Sequence, residues 1–128
     1  MGRCSHAALR AGRYDPLGSP AGTGHIADRL VATSNAGAVT HATGTLAYSD
    51  SFGLDPDGQV YASADGTDLT IMQQAVATGL GTAMIQTGTL IEPGTAAFVA
   101  RAPARGDYEL IAEQVVESGV EILLGAGE

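Results

Sequence analysis

The fold class of this chain follows from the stretch DYELIAEQVVESGVEILL at residues 107–124. Its first part predicts a helix that begins at Asp107 and ends at Ser118 and Gly119. The apolar residues of that helix fall on one face: Leu110, Ile111 and Val115. Its last part, residues 120–124, is a short apolar run typical of a buried strand. A helix that leads directly into a buried strand is typical of α/β proteins with a parallel sheet.

The same alternation of helix and strand precedes this stretch. A helix is predicted to begin after the cap Thr67 or Asp68 and to end before Gly79. Its apolar face consists of Leu69, Met72 and Val76. Residues 83–86 predict a short strand, and residues 95–101 a brief helix. We therefore predict an α/β fold with a mainly parallel sheet and helices on both faces.

Two other segments are predicted to be irregular. Residues 1–24 are rich in glycine, proline, arginine and alanine and show no sustained period. Residues 45–66 are loop-like, with one or two short strands and a turn at the Asp-Pro-Asp-Gly run of residues 55–58. We therefore expect an irregular N-terminal segment at 1–24 and an α/β domain at 25–128.

The charge balance argues against several classes of partner. The chain of 128 residues carries a formal net charge of −8, whereas nucleic acid and anionic membranes bind clustered cations. We expect neither as a partner. Within residues 31–128 the only arginines are Arg101 and Arg105. The single Cys4 excludes an internal disulfide and a cysteine-built zinc site, and no run approaches the roughly 20 apolar residues of a membrane span.

The most informative run for function is VATSNAGAVTHATG at residues 31–44. It predicts a helix over residues 35–43 that ends at Gly44, with Ser34 at its start. The start of a helix presents unpaired backbone N–H groups and the positive end of the helix dipole, so a phosphate oxygen beside Ser34 would be stabilised there. The alternative is that Ser34 only caps the helix, as serine often does.

Several short motifs follow this run in a fixed order. They are Asp55-Pro56-Asp57-Gly58, Ala96-Ala97-Phe98, Pro103-Ala104-Arg105, Asp107-Tyr108, Ile111-Ala112-Glu113-Gln114 and Ile122-Leu123-Leu124-Gly125. Together with residues 31–44 they resemble the alkaline phosphatase family, whose nucleophile segment is written V-T-D-S-A-x-x-A-T-A-x-A-T-G. The resemblance covers residues 25–128 and only the early-middle part of the family's domain. It implies that family's three-layer α/β sandwich in incomplete form.

The resemblance also implies roles for two residues. Ser34 falls on the family's nucleophile, which attacks a phosphate monoester, binds zinc and forms a phosphoserine intermediate. Arg105 falls on an arginine that grips two phosphate oxygens with its planar guanidinium. The alternative for Arg105 is a surface ion pair with Asp107 or Glu109. Arg101 is expected to face solvent.

Two departures from the family pattern concern the same site. The residue before the nucleophile is Thr33 instead of the aspartate that helps to orient the arginine, so Arg105 would be held less well or by another group such as Glu92. The family's H-A-T-P or D-A-T-P element, which adjoins a magnesium site, corresponds to residues 92–95. Glu92 and Thr95 are therefore the expected magnesium ligands, with Thr95 as a helix cap after a Pro-Gly turn as the alternative.

The metals of the family raise a further expectation. Zinc and magnesium are expected for the complete domain, but its other zinc ligands lie before and after the matched stretch. This chain has His6, His25 and His41, which lack ligand spacing and are expected to be ordinary histidines. We therefore predict a phosphoric monoester hydrolase present as a fragment that is inactive alone, because a serine hydroxyl without zinc is a poor nucleophile.

Other interpretations remain open from the sequence. A non-catalytic α/β binding or interaction module with a decayed phosphate site is the main alternative. A small nucleotide-binding domain is a third, because Gly125-Ala126-Gly127 follows a strand, although a third glycine and a helix are lacking. The family implies a periplasmic or extracellular location and a possible homodimer, while the N-terminus lacks the apolar core of a signal peptide.

Overall fold

The computed structural model of the chain describes residues 33–48, 51–55 and 57–126. Within these ranges the chain forms, in order, α1 (Ser34–Thr43), α2 (Ile71–Ala77), β1 (Ala83–Ile85), α3 (Pro93–Ala96), α4 (Tyr108–Glu117) and β2 (Ile122–Leu124). The predicted α/β class is confirmed. The expected boundary between an irregular segment at 1–24 and a domain at 25–128 lies outside the described residues.

The two strands form a parallel pair in the described part of the chain, with Met84 opposite Leu123 and Ile85 opposite Leu124. Met84 is buried in the main core and Leu123 packs against it, so this face of the pair is covered. The opposite face is bare, since Ile122 is 49% exposed and Leu124 is 55% exposed. The prediction of a buried strand at 120–124 is therefore wrong, because the described elements cover one face of the pair instead of two.

The core consists of small and medium-sized apolar side chains in two clusters. The main cluster contains Phe52, Met84, Ala96, Val99, Ala100, Ala102, Ile111 and Val115. In the second cluster, Ala36 and Val39 of α1 pack with Ala97, directly after α3. Small side chains allow the two helices to approach closely. This contact brings the start of α1 towards the start of α3.

Helix α1 follows the prediction at its C-terminal end. It ends at Gly44, whose φ of 72° lies in the left-handed region and whose N–H donates to the Thr40 carbonyl. Glycine adopts this conformation without the steric penalty of a Cβ. The predicted helix over residues 35–43 and its stop are confirmed.

Helix α2 begins later than predicted. Its cap is Thr70, whose hydroxyl accepts from the Gln73 N–H while the Gln73 side chain accepts from the Thr70 N–H. This reciprocal capping box satisfies two helix-end donors. The N–H and the hydroxyl of Thr67, one of the two expected caps, instead donate to the Asp65 carboxylate in the preceding turn. Leu69, predicted on the apolar face of the helix, lies before its first residue. The end before Gly79 is confirmed.

The other helices differ from prediction in smaller ways. Helix α3 spans Pro93–Ala96 instead of residues 95–101, because Pro93 at the first helical position presets its φ. Helix α4 has Asp107 as its N-cap and Ser118 as its C-cap, as predicted. Of its predicted apolar face, Ile111 and Val115 are buried, whereas Leu110 is 42% exposed.

The loop that follows α1 contains the predicted turn. The Asp55 carboxylate accepts from the N–H groups of Asp57 at 2.9 Å and Gln59 at 2.8 Å, an Asx-type turn. The described residues of this loop form isolated antiparallel bridges, Phe52 with Ala102 and Leu54 with Val60, in place of the expected short strands. No helix among the described residues is long and apolar enough to cross a membrane.

Candidate phosphate site

The start of α1 and the loop before α4 meet at one cleft. The Arg105 Nη1 group donates to the Ser34 hydroxyl oxygen at 3.2 Å, although the two residues are 71 positions apart in the chain. The cleft has a volume of about 490 Å³. Its lining residues are Thr33, Ser34, Asn35, Pro103, Ala104 and Arg105. A hydroxyl and a guanidinium therefore share one open space.

Ser34 lines this cleft, and its hydroxyl is not the one that caps the helix. The Thr33 hydroxyl accepts from the Ala36 N–H at 3.4 Å, so Thr33 is the N-cap and Ser34 the first helical residue. The interpretation of Ser34 as a cap is wrong for this reason. The Ser34 hydroxyl instead donates weakly to the Asn35 side-chain oxygen at 3.4 Å and accepts from Arg105.

Arg105 is carried by a tight turn that closes on Asp107. The Ala104 N–H donates to the Asp107 carboxylate at 3.0 Å, and the Asp107 N–H donates to the Ala104 carbonyl at 3.2 Å. The Arg105 Nη2 group forms an ion pair with Glu92. The alternative pairing of Arg105 with Asp107 or Glu109 is therefore wrong. Glu92 is the residue that the sequence offers as a substitute for the family's aspartate, and its carboxylate does contact Arg105.

The two expected magnesium ligands have other partners. The Glu92 carboxylate binds the Arg105 guanidinium, and the Thr95 hydroxyl donates to the Leu90 carbonyl at 3.1 Å and the Glu92 carbonyl at 3.3 Å. Thr95 is thus not the helix cap, a position that Glu92 occupies. Their role as magnesium ligands stays a prediction.

The described ranges 33–48, 51–55 and 57–126 contain no group of three His, Cys, Asp or Glu side chains that could hold a metal ion. Tight zinc sites need at least three such ligands from the protein. These residues therefore do not fit a complete zinc centre around Ser34. His41 is exposed in the last turn of α1, while His6 and His25 lie outside the described residues.

Arg101 differs from expectation, because it is half-buried instead of facing solvent. Its guanidinium donates to the Asp68 carbonyl and, at 3.2 Å, to the Gln73 side-chain oxygen. Burial lowers the pKa of Arg101, and the nearby Asp68 carboxylate opposes that shift. Gln114 holds its backbone by donating to the Arg101 carbonyl at 2.8 Å and accepting from its N–H at 3.0 Å. Arg101 therefore ties α2 to α4.

The glycine after β2 has a packing role. A Cβ at Gly125 would lie 2.8 Å from the Leu90 Cγ atom and 3.0 Å from the Gly88 carbonyl oxygen. These distances are shorter than ordinary contacts, so a side chain here would require the Leu90 side chain and the Gly88 backbone to shift, and glycine favours the close approach of the two loops. This observation weakens the nucleotide-loop interpretation of Gly125-Ala126-Gly127, of which Gly127 lies outside the described residues.

The fold and the cleft define a class: an α/β protein with a serine hydroxyl and an arginine converging at a helix start, an arrangement suited to a tetrahedral oxyanion. Solved structures similar to this chain are alkaline phosphatases. A cold-active alkaline phosphatase from the psychrophile Shewanella sp. is 25% identical, with a TM-score of 0.63 over 97% of this chain and 34% of the other. The resemblance to the alkaline phosphatase family is confirmed, and the fold is alkaline-phosphatase-like.

Two related structures agree with this finding. The alkaline phosphatase from the Antarctic bacterium TAB5 is 24% identical, with a TM-score of 0.61 over 72% of this chain and 25% of the other. A histidine-to-glutamate variant of the TAB5 enzyme with bound magnesium is 26% identical, with a TM-score of 0.64 over 75% and 26%. The chain thus spans about a quarter to a third of the length of these structures. No family model matches the chain, and no curated protein does.

Proposed function

We propose that this chain is the nucleophile and phosphate-binding segment of a phosphoric monoester hydrolase of the alkaline phosphatase type. The observation that carries the proposal is the 3.2 Å contact between Arg105 Nη1 and Ser34 Oγ. The likeness to alkaline phosphatases supports the same reaction class. A phosphate monoester bound between the two groups would have its phosphorus near a hydroxyl and its oxygens near a guanidinium.

The proposed chemistry takes two displacements. The Ser34 oxygen attacks phosphorus, the bond from phosphorus to the ester oxygen breaks, and the alcohol leaves with a proton. Water then attacks the phosphoserine, releases inorganic phosphate and returns a proton to Ser34. Arg105 would donate to two non-bridging oxygens throughout and stabilise the charge that shifts onto them.

The chain is proposed to supply only part of this machinery. In the complete family domain, two zinc ions would stabilise the attacking and leaving oxygens, and magnesium would occupy a further site, as neighbouring structures carry magnesium. The described residues hold no ligand cluster for such ions. We therefore assign to this chain the binding and orientation of phosphate and expect little turnover by the chain alone.

The wider architecture belongs to the same proposal. The bare face of the β1–β2 pair, with Ile85 at 66% and Leu124 at 55% exposure, fits a parallel sheet that needs a second helical layer. We propose that residues 25–128 form part of a three-layer sandwich of the alkaline phosphatase type. A periplasmic or extracellular location and a homodimer are proposed by analogy with that family.

A second candidate function is a non-catalytic module with a decayed phosphate site. The observation that favours it is Thr33, since a neutral hydroxyl cannot hold a guanidinium as a carboxylate does. The two candidates differ in one respect that can be measured: only a nucleophile becomes phosphorylated.

Phosphorylation of Ser34 tests the proposed function without requiring turnover. The chain is incubated with excess p-nitrophenyl phosphate, zinc and magnesium, and its intact mass is followed. We expect a slow gain of one phosphoryl group that is absent in Ser34→Ala and retained in the matched control Ser118→Ala. Steady-state release of p-nitrophenol should stay close to that of Ser34→Ala.

Two results would count against this function. A chain that gains no phosphoryl group but binds inorganic phosphate would be the non-catalytic module. If the Ser34→Ala variant gained a phosphoryl group as readily as the unmodified chain, the nucleophile would be a residue other than Ser34.

A further inference from the structure

Glu92 is a helix cap whose side chain does not cap. It occupies the N-cap position of α3, yet its side chain forms no hydrogen bond with the helix. Its backbone is fixed, because its carbonyl accepts from the N–H groups of Thr95 at 3.1 Å and Ala96 at 2.9 Å. The next residue, Pro93, is buried. A rigid backbone therefore carries a carboxylate that is available for another partner.

That carboxylate holds one end of the Arg105 guanidinium. Glu92 accepts from Nη2, while the Ser34 hydroxyl accepts from Nη1 at 3.2 Å. Two partners on two nitrogens of a planar group fix the orientation of its plane. A guanidinium has five N–H donors, so three remain for an anion once these two bonds are made. Glu92 can thus hold Arg105 without occupying all of its binding edge.

Other polar groups near Arg105 are engaged elsewhere. The Asp107 carboxylate accepts from the Ala104 N–H at 3.0 Å, and the Thr33 hydroxyl accepts from the Ala36 N–H at 3.4 Å. Among the residues that the structure describes, Glu92 is the carboxylate paired with Arg105. The orientation of this guanidinium therefore depends on a residue from α3, which reaches the cleft through the packing of α3 on α1.

We infer that Glu92 is a positioning residue that sets Arg105 for a tetrahedral oxyanion at Ser34, a role that rests on the proposed function. The carboxylate also repels a bound anion, so the two effects oppose each other. Both side chains are about half exposed, at 46% for Arg105 and 47% for Glu92. Solvent weakens both interactions at such sites, but the repulsion acts over a longer distance than the direct Glu92–Arg105 hydrogen bond and is therefore screened more by salt. We therefore expect the loss of orientation to outweigh the relief of repulsion, so that removal of the Glu92 carboxylate weakens phosphate binding.

The test compares Glu92→Gln with Glu109→Gln in the full chain. Both changes remove one negative charge, but Glu109 lies exposed in the first turn of α4. We expect Glu92→Gln to weaken binding of inorganic phosphate about threefold to fivefold and Glu109→Gln to leave it unchanged. Side-chain NMR of Arg105 should show faster rotation of the guanidinium in Glu92→Gln alone.

A rescue variant separates positioning from general damage. Thr33 lines the same cleft, and aspartate also caps helices well. Thr33→Asp in the Glu92→Gln background should therefore restore both slow guanidinium rotation and most of the phosphate affinity.

The outcomes distinguish the role of Glu92 from the proposed function. Phosphate binding in Glu92→Gln that equals or exceeds that of the unmodified chain, or unchanged rotation of Arg105, would overturn the positioning role alone. No phosphate binding by the unmodified chain would overturn the function and this role together.

Discussion

We expect Arg105→Ala to weaken binding of inorganic phosphate to this chain by about tenfold to a hundredfold. The reason is that hydrogen bonds to a charged group contribute about 1.5–3 kcal/mol, and each 1.4 kcal/mol corresponds to about tenfold in affinity. Arg105 is the guanidinium that lines the cleft beside Ser34. Isothermal titration with phosphate would measure the change.

Two variants show which property of Arg105 matters. Arg105→Lys keeps the charge but loses the planar fork, so its affinity should fall between those of the unmodified chain and Arg105→Ala. Arg101→Gln removes the same charge from a residue that does not line the cleft and should change phosphate affinity little. Equal losses in Arg101→Gln and Arg105→Ala would mean that overall charge, not the cleft, attracts the anion.

We expect Ile111→Ala to destabilise the fold by about 2–5 kcal/mol, because it removes a large buried side chain and leaves a cavity. Ile111 is fully buried in the main core, at 0% exposure. Natural domains have only about 5–15 kcal/mol of stability in total. We therefore expect a fall in Tm of about 10 °C or more, or a chain that no longer melts cooperatively.

The neighbouring residue provides a matched control for Ile111. Leu110 lies in the same helix, carries a side chain of the same size and is 42% exposed. Leu110→Ala should cost less than about 1 kcal/mol, since surface substitutions have small effects. Thermal unfolding followed by circular dichroism compares the two. Similar losses for both variants would show that α4 does not pack as described.

The elements with strong local signals were predictable from the sequence. Helix α1 ends at Gly44 and α4 begins after Asp107, because glycine stops and apolar periodicity act within a few residues. The strand predicted over residues 83–86 is present as β1, Ala83–Ile85. These signals depend on neighbours in the chain and need no knowledge of tertiary packing.

Features that depend on distant residues were not predictable in the same way. The N-cap of α2 is Thr70 instead of the predicted Thr67 or Asp68. The Thr67 hydroxyl instead donates to the Asp65 carboxylate in the preceding turn. The exposure of β2 depends on which elements cover the sheet, which an apolar run does not reveal. The sequence predicts Arg101 in solvent, but its guanidinium donates to the Gln73 side chain and its backbone is paired with the Gln114 side chain. No pattern in the sequence links those glutamines to an arginine.

The candidate site shows the same division. The resemblance placed Ser34 and Arg105 in one motif series, and the structure brings their side chains to 3.2 Å. The same resemblance suggests two roles for Glu92, as a magnesium ligand and as a substitute partner for Arg105. The choice between these depends on how closely α3 packs against α1, which small residues such as Ala36 and Ala97 allow.

The central claim is that Ser34 and Arg105 bind the same tetrahedral oxyanion. A crystal structure of the chain with vanadate tests it most directly, because vanadate adopts the geometry of a phosphoryl group under attack. We predict vanadium bonded to or in contact with the Ser34 oxygen, with both terminal nitrogens of Arg105 donating to vanadate oxygens. Vanadate bound elsewhere, or an Arg105 guanidinium that contacts Glu92 but no vanadate oxygen, would contradict the account.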